Sequence, residues 1–277
     1  MVSKKYAGDL EHVLATRHDN GADYWATPDG RIGVGGPFST MESLLILSEL
    51  RVPKSHEAVK GAAKAILAAC REDGRVRVAP KGTIYPCHTA IAAAALCRNG
   101  FARDRRVKAM LEHLLSNRFD DGGWRCNKGG GRGPETDHSN PGVTLFALDA
   151  FRAAGMNESN PVLKQAVETL LDHWVVRVPT GPCHFGIGTQ FMQVEYPFLR
   201  YNLFYYVYVL SFYANARKDT RFKEAFAALR DKLDDRGRLI VERPNRKLAR
   251  LDFCSKGMPS ELATKRYGEV VSNMAMR

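Results

Sequence analysis

The chain has 277 residues, of which 44% are hydrophobic and 26% charged, as is typical of soluble proteins. No apolar run reaches the roughly 20 residues of a membrane-spanning helix, and the N-terminus lacks the pattern of a secretory signal. We therefore expect one cytoplasmic domain over residues 1–277, without a membrane span. Lysine and arginine exceed aspartate and glutamate by 11, but no nucleic-acid-binding motif accompanies this excess, so a nucleic-acid partner is not expected.

A repeated turn organises the chain. The segments ATPDGRI, CREDGRV, RFDDGGW and LDDRGRL place a glycine at Gly30, Gly74, Gly122 and Gly237. The period is about 45 residues, with a double interval before the last copy, as in helical repeat proteins. The segment HWVVRVPTGPCHFG, residues 173–186, has the flanks of a further copy that has lost its glycine.

Each copy lies between an amphipathic helix and a more apolar one, which predicts outer and inner helices. Outer helices are predicted over residues 5–16, 55–70, 161–174 and 220–233, and around the apolar positions from Val107 to Leu115. Inner helices are predicted over 35–50, from Pro86, over 143–151 and over 194–215, with a final helix from Ser260. Two helices per repeat, stacked side by side, form an open solenoid or a closed ring.

The fourth predicted inner helix, VEYPFLRYNLFYYVYVLSFYAN, is rich in aromatic residues. One interpretation is that large side chains fill a tapering ring. The other is an aromatic wall around a central cavity, suited to an apolar or cationic ligand. On the second interpretation the candidate substrate-binding residues are Tyr196, Phe198, Tyr201, Tyr205 and Tyr208, together with Trp124 of the third turn.

Three of the six cysteines lie in loops or at the starts of inner helices, where a metal site could form. Because these helix starts point to one mouth of a ring, we expect Cys87, His88, Cys126, His138, Cys183 and His184 to converge there. All of these except His88 are the candidate metal ligands. Thiolate and imidazole are the ligands that zinc prefers. The alternative is a set of free thiols and surface histidines.

The segment RFDDGGW resembles the Gln-x-x-x-Gly-x-Trp signature of the prenyltransferase and squalene-cyclase superfamily, with Arg118 where glutamine is usual. The alternating helices extend this resemblance along nearly the whole chain. It implies an all-α fold, an α/α toroid of five to six helical hairpins with inner and outer helix rings. Toroids of this type host several chemistries, so the fold alone does not give the function.

Two members of this structural class bind zinc. The protein prenyltransferase β subunits use an Asp-x-Cys and a histidine, which implies Cys87 and His138 here, although Tyr85 stands at the aspartate position. Cys126 could replace that ligand. The lanthionine cyclases use Trp-Cys and Cys-His-Gly elements, which resemble Trp124–Cys126 and Cys183–Gly186 and imply Cys126, Cys183 and His184, although Phe185 interrupts the second element.

Acid and anion-binding residues are less well marked. The Asp-x-Asp-Asp motif of class II terpene cyclases and the Asp-Asp-x-x-Asp motif of class I synthases are absent. Candidate catalytic acids preceding inner helices are Glu135, Asp137 and Glu195, although carboxylates there also serve as helix caps. Arg132, Arg200 and Lys128 are candidates for contacting a leaving diphosphate.

The sequence favours a zinc-dependent enzyme, a transferase or cyclase, acting on an isoprenoid-like or other apolar substrate. One alternative is a non-catalytic toroid that binds a protein or peptide partner and holds structural zinc. The other is a lanthionine-cyclase-like toroid acting on peptide thiols. The number of ligands separates catalytic from structural zinc, because a catalytic site keeps an open position.

Overall fold

The computed structural model describes residues 3–126, 138–181, 183 and 185–276. Within these ranges it contains short 3-10 turns, isolated β-bridges, no β-strand, and eleven α-helices. The helices are α1 Ala7–Ala15, α2 Thr40–Glu49, α3 Glu57–Ala68, α4 Pro86–Arg98, α5 Arg105–Ser116, α6 Pro141–Ala153, α7 Pro161–Val176, α8 Leu203–Leu210, α9 Ala214–Lys218, α10 Thr220–Arg230 and α11 Glu261–Ala275.

Inner and outer helices alternate, as the repeat predicts. The inner helices α2, α4, α6, α8 and α11 pack against one another in that order. They are covered on several sides: in α6 every residue from Pro141 to Phe151 is buried. The outer helix α5 instead buries one stripe, formed by Val107, Met110, Leu111 and Leu114. The predicted all-α toroid is confirmed.

The ring is closed by contacts between the two ends of the chain. Lys5 Nζ lies 2.5 Å from Glu261 Oε1 at the start of α11. The buried Asp9 carboxylate of α1 accepts backbone hydrogen bonds from Asp252 and Phe253. These contacts hold α11 against the first repeat, so the last inner helix completes the ring.

The repeated turns share one geometry. All four turn glycines have positive φ, between 72° and 96°, a conformation that glycine adopts without steric cost. The bulky residue two positions later packs inward in each copy; these residues, Ile32, Val76, Trp124 and Leu239, are all buried. The Trp124 indole also donates a 2.8 Å hydrogen bond to the Leu114 carbonyl oxygen. Each turn therefore joins an outer helix to the following inner helix.

The aromatic segment is the main departure from the predicted elements. A helix was expected over residues 194–215, but α8 covers only Leu203–Leu210. Proline disfavours helical geometry in the residue before it and cannot donate a backbone hydrogen bond, so Pro197 opposes an earlier start. Asn202 fixes the start of α8, because its side-chain oxygen accepts a hydrogen bond from the Tyr205 amide.

An ion network of buried charges links four of the inner helices. Arg98, at the end of α4, lies between Glu49 of α2 and Asp149 of α6, and these side chains are 4%, 0% and 0% exposed. Two further guanidinium groups pair with these carboxylates: Arg266 with Glu49 at 2.9 Å and Arg152 with Asp149 at 2.5 Å. The network ties α2, α4, α6 and α11 together, and its members on α2, α4 and α6 lie in the C-terminal halves of those helices.

None of the described helices is long and apolar enough to cross a membrane. The cytoplasmic location and the single domain over residues 1–277 stay predictions.

Candidate functional site

A cavity of about 430 Å³ lies beside the starts of α2, α4 and α6, and we call it the mouth cavity. Its walls are mainly apolar, and they include Met41 and Leu45 of α2, Ile91 of α4 and Phe146 of α6. Polar groups enter from the helix starts and the adjoining loops; among the described residues these are Ser39, Glu42, Cys87, His88, Cys126, Asn140, Cys183 and Arg200. Apolar walls with a few converging polar groups are typical of small-molecule sites.

Three thiols from successive repeats meet at this cavity, and we call them the thiol cluster: Cys87, Cys126 and Cys183. Cys126 Sγ lies 3.4 Å from Cys87 Sγ and 3.9 Å from Cys183 Sγ. Cys87 is in the first turn of α4, whereas Cys126 follows the third repeated turn and Cys183 lies in the degenerate fourth copy. The hydrogen bond with Cys126, burial and the two neighbouring thiols raise the pKa of Cys87 well above its ordinary value.

The spacing of the thiols fits part of a zinc site. Two thiolates on tetrahedral zinc, each at about 2.3 Å from the metal, lie about 3.8 Å apart, and the observed distances of 3.4 and 3.9 Å are close to this. Within the described ranges, however, no group of three or more His, Cys, Asp or Glu side chains is arranged so that it could hold a metal ion. His184, the ligand expected next to Cys183, falls outside the described residues.

His138 is placed away from the thiol cluster. It lines a separate cavity of about 340 Å³ with Asp121 and His173. Its Nδ1 lies 3.9 Å from Asp121 Oδ2, and its side chain is about half exposed. The arrangement does not bring His138 into the mouth cavity with the cysteines.

Glu42 is the one carboxyl among the described residues that line the mouth cavity. Ser39 Oγ donates a 2.9 Å hydrogen bond to its carboxyl group and accepts one from its backbone amide. Burial raises the pKa of Glu42, although Ser39 and the positive charges of Arg200 and Lys247 oppose this effect. The sequence analysis did not assign Glu42 to the site. Its position in the first turn of the inner helix α2 is the signal that could have indicated a place at the mouth.

The predicted acid Glu195 is buried and is not among the described residues that line the mouth cavity. Its Oε1 lies 3.7 Å from Nε of Arg200. Burial raises the pKa of Glu195, and the nearby Arg200 and Arg243 partly offset this. Arg200, predicted to contact substrate, does line the cavity, with half of its side chain exposed.

Of the predicted aromatic residues, Tyr201 lines the mouth cavity. His173 is buried, and its Nε2 carries a proton because it donates a hydrogen bond to the Val178 carbonyl oxygen. Its Nδ1 is therefore the acceptor of the 2.9 Å hydrogen bond that the Tyr201 hydroxyl donates. Phe146 and Phe185 also line this cavity, although the sequence analysis did not assign them to it.

The remaining aromatic candidates are packed in the interior. Phe198 stacks on Tyr205 and Tyr208, with ring centroids 4.9 and 4.8 Å apart. The hydroxyls of Tyr196 and Tyr205 donate to the carboxylates of Glu49 and Asp149 in the ion network. Tyr208 donates to Glu269, and Trp124 is fully buried under its turn. None of these five is among the described lining residues of the mouth cavity.

Four further candidates cannot be placed. Lys128, Arg132, Glu135 and Asp137 lie in 127–137, outside the described residues.

No protein-family model matches the sequence, and no curated protein matches it. The structure is similar to that of the type II terpene cyclase MstE from Scytonema, in a variant complexed with its substrate geranylgeranyl dihydroxybenzoate. That likeness has a TM-score of 0.52 at 13% identity and covers 98% of this chain and 83% of the cyclase. A second variant with the same substrate aligns at 14% identity and a TM-score of 0.49, over 98% and 84% of the two chains. The first likeness shows that the chain has a terpenoid cyclase-like helical fold.

Proposed function

We propose that the protein is an enzyme that binds an isoprenoid-like apolar substrate in the mouth cavity and acts on it beside zinc held at the thiol cluster. The observation that carries this proposal is the meeting of three cysteines from separate repeats at the wall of an apolar cavity. The fold is also similar to that of a cyclase whose substrate carries a geranylgeranyl chain.

The cavity suits an apolar chain. Its volume of about 430 Å³ lies within the range of roughly 300–1,000 Å³ that is usual for ligand pockets. Met41, Leu45 and Ile91 would bury the substrate chain, while Phe146 and Tyr201 offer aromatic faces to any positive charge that develops on it. These walls exclude water from the chain.

Glu42 is the proposed proton donor. A buried carboxyl with a raised pKa keeps its proton closer to neutral pH than an exposed one, as a general acid requires. The Ser39 hydroxyl holds the carboxyl toward the cavity. Arg200 would attract an anionic part of the substrate, because its guanidinium lines the same space and is half exposed.

Cys87, Cys126 and Cys183 would hold the metal, with His184 as the predicted further ligand. Zinc at this position would act as a Lewis acid or lower the pKa of a bound thiol or water. The protein's own contribution is the spacing of the thiols, which is set by α4 and the two loops.

Metal content measured by mass spectrometry on protein without a histidine tag tests the metal site. About one zinc per chain is expected in the parent, and Cys87→Ala, Cys126→Ala and Cys183→Ala should each lose it. Cys97→Ala is the matched control, because this buried thiol lies near the far end of α4 and does not line the cavity. A parent protein without zinc, or zinc retained in all three variants, would contradict the assignment.

Calorimetric binding of a geranylgeranyl-bearing alcohol tests the cavity independently of the metal. Ile91→Trp, which fills the cavity, should abolish binding, whereas Val271→Trp on the exposed side of α11 should not. Equal binding by the two variants would refute the assignment of the apolar chain to this cavity.

A zinc toroid acting on peptide thiols is the second candidate. The 3.9 Å distance between Cys126 and Cys183 favours it, because these two thiols and His184 are its predicted ligands. In that case Cys87→Ala would keep its zinc, while Cys126→Ala and Cys183→Ala would lose it.

A further inference from the structure

Residues 241–258 form a surface loop, the basic loop, whose two ends are held together. The Val241 amide donates a 3.1 Å hydrogen bond to the Met258 carbonyl oxygen, and the Gly257 amide donates one of 2.8 Å to the Val241 carbonyl oxygen. The side chains that anchor the loop from below are buried; they are Leu248, Leu251, Phe253 and Cys254. The loop therefore has a fixed position on the surface of the protein.

The basic loop carries an excess of positive charge. It contains two acidic side chains and five basic ones, which are Arg243, Arg246, Lys247, Arg250 and Lys256. All of the basic residues except Arg243 are exposed. Of the two acids, Glu242 pairs outside the loop, with Lys232 Nζ at 3.0 Å. Across the described ranges no carboxylate forms an ion pair with any of the five, so the loop presents uncompensated cations to its surroundings.

The basic loop lies beside the mouth cavity. The Arg243 amide donates a 3.0 Å hydrogen bond to the Val194 carbonyl oxygen, which places the start of the loop against the segment that leads to the lining residue Arg200. The positive charge of Lys247 acts on the carboxyl group of Glu42, which also lines the cavity. The cations of the loop are therefore next to the opening into which the proposed substrate enters.

We propose that the basic loop binds the protein to the surface of an anionic phospholipid bilayer, with the mouth cavity turned toward the lipid. Clusters of roughly four to eight basic side chains bind such surfaces through electrostatic attraction. Met258, at the end of the loop, is 57% exposed and adds an apolar contact. The loop thus combines the two interactions that hold a protein at a lipid surface.

A lipid surface is favoured over an acidic protein or a nucleic acid. The exposed cations are spread over a surface and are not among the described residues that line the mouth cavity. This arrangement matches a broad field of negative charge better than a defined binding partner. The choice of lipid rests on the proposed function, because an apolar isoprenoid-like substrate partitions into bilayers and a mouth held at the lipid surface would receive it directly.

Co-sedimentation with vesicles tests this binding without any isoprenoid. The parent should bind vesicles of phosphatidylcholine mixed with phosphatidylserine but not vesicles of phosphatidylcholine alone, and high salt should release it, because salt screens exposed charges. Arg246→Ala combined with Arg250→Ala should weaken binding about thirtyfold, since each basic residue near the surface contributes about fivefold. Arg105→Ala combined with Lys108→Ala is the control, because it removes the same charge from exposed positions on α5.

Tryptophan fluorescence tests the orientation. Met258→Trp should shift its emission to shorter wavelength when anionic vesicles are added, whereas Val271→Trp, at an exposed position on α11, should not. The three native tryptophans are buried, so the shift reports the introduced side chain. An unshifted Met258→Trp in protein that has bound the vesicles would overturn the orientation.

Three results would overturn the binding itself: equal binding to both kinds of vesicle, an equal loss in the α5 control, or a parent that binds polyglutamate or RNA but no vesicle. Circular dichroism of each variant checks that the fold is intact. Binding of the geranylgeranyl-bearing alcohol in solution should be the same in the parent and in Arg246→Ala combined with Arg250→Ala. Failure of the lipid surface is therefore distinguishable from failure of the proposed function.

Discussion

Replacement of Arg98 by methionine should lower the free energy of unfolding by about 3 kcal/mol. Breaking a buried ion pair by removing one partner costs about 3–5 kcal/mol, because the remaining charge is left without compensation in a low dielectric. Here the lower figure applies, since Glu49 keeps Arg266 and Asp149 keeps Arg152. Water cannot replace the lost guanidinium, because the two carboxylate side chains are 0% exposed.

Urea unfolding at pH 7, followed by circular dichroism, measures this loss. Arg106→Met is the control, because Arg106 pairs with Asp104 at the surface and its removal should cost at most about 1 kcal/mol. The double variant Glu49→Gln with Arg98→Met should cost less than the sum of the two single changes. Equal losses in Arg98→Met and Arg106→Met would refute the view that the ion network stabilises the inner ring.

The difference in the free energy of unfolding between the parent and Arg98→Met should also depend on pH. Burial raises the pKa of Asp149, but Arg152 and Arg98 outweigh it, and the net pKa is below its ordinary value of 3.8. This carboxylate therefore contributes stability above about pH 4 that is lost as the pH falls through its folded-state pKa. Since Arg98 provides part of that contribution, the stability difference should narrow below about pH 4. An unchanged difference down to pH 3 would contradict this account.

Three further predictions concern single side chains. Burial raises the pKa of Glu42 above 4.5, so the stability that this carboxyl contributes in its protonated form is lost as the pH rises through its folded-state pKa. Thermal unfolding should therefore show Glu42→Gln gaining stability relative to the parent between pH 4 and pH 8. Gly237→Ala should lower the free energy of unfolding by roughly 1–2 kcal/mol through positive-φ strain alone, because its Cβ would meet nothing within 4 Å. Gly74→Ala should lower it by clearly more, because its Cβ would lie 2.2 Å from a backbone oxygen. Equal losses in urea unfolding would exclude this clash. Tyr201→Phe should lower the free energy of unfolding by about 1–3 kcal/mol in urea, since it removes the hydroxyl that donates a hydrogen bond to Nδ1 of the buried His173. An unchanged free energy of unfolding would rule out that hydrogen bond.

The sequence predicted the helices whose ends are chemically marked. Pro86 begins α4, because the fixed backbone angle of proline suits the first position of a helix. Asn160 and Ser260 cap α7 and α11, because their side-chain oxygens accept hydrogen bonds from backbone amides of the first turn. The aromatic segment was mispredicted because helical periodicity is hard to read in a run that is apolar on every face. The local signals of Pro197 and Asn202 decided the start of α8 there.

The sequence by itself determined the repeated pairs of outer and inner helices, since hydrophobic periodicity and turn glycines are local properties of the chain. The closed ring was implied only by the family resemblance. It also indicated Cys87, Cys126 and Cys183 as mouth residues, because all inner helices start at one end of a toroid. Only the tertiary structure decided which side chains share a space. It separated His138 from the thiols and brought Glu42 into the cavity, because the direction of a side chain depends on the packing of helices distant in sequence.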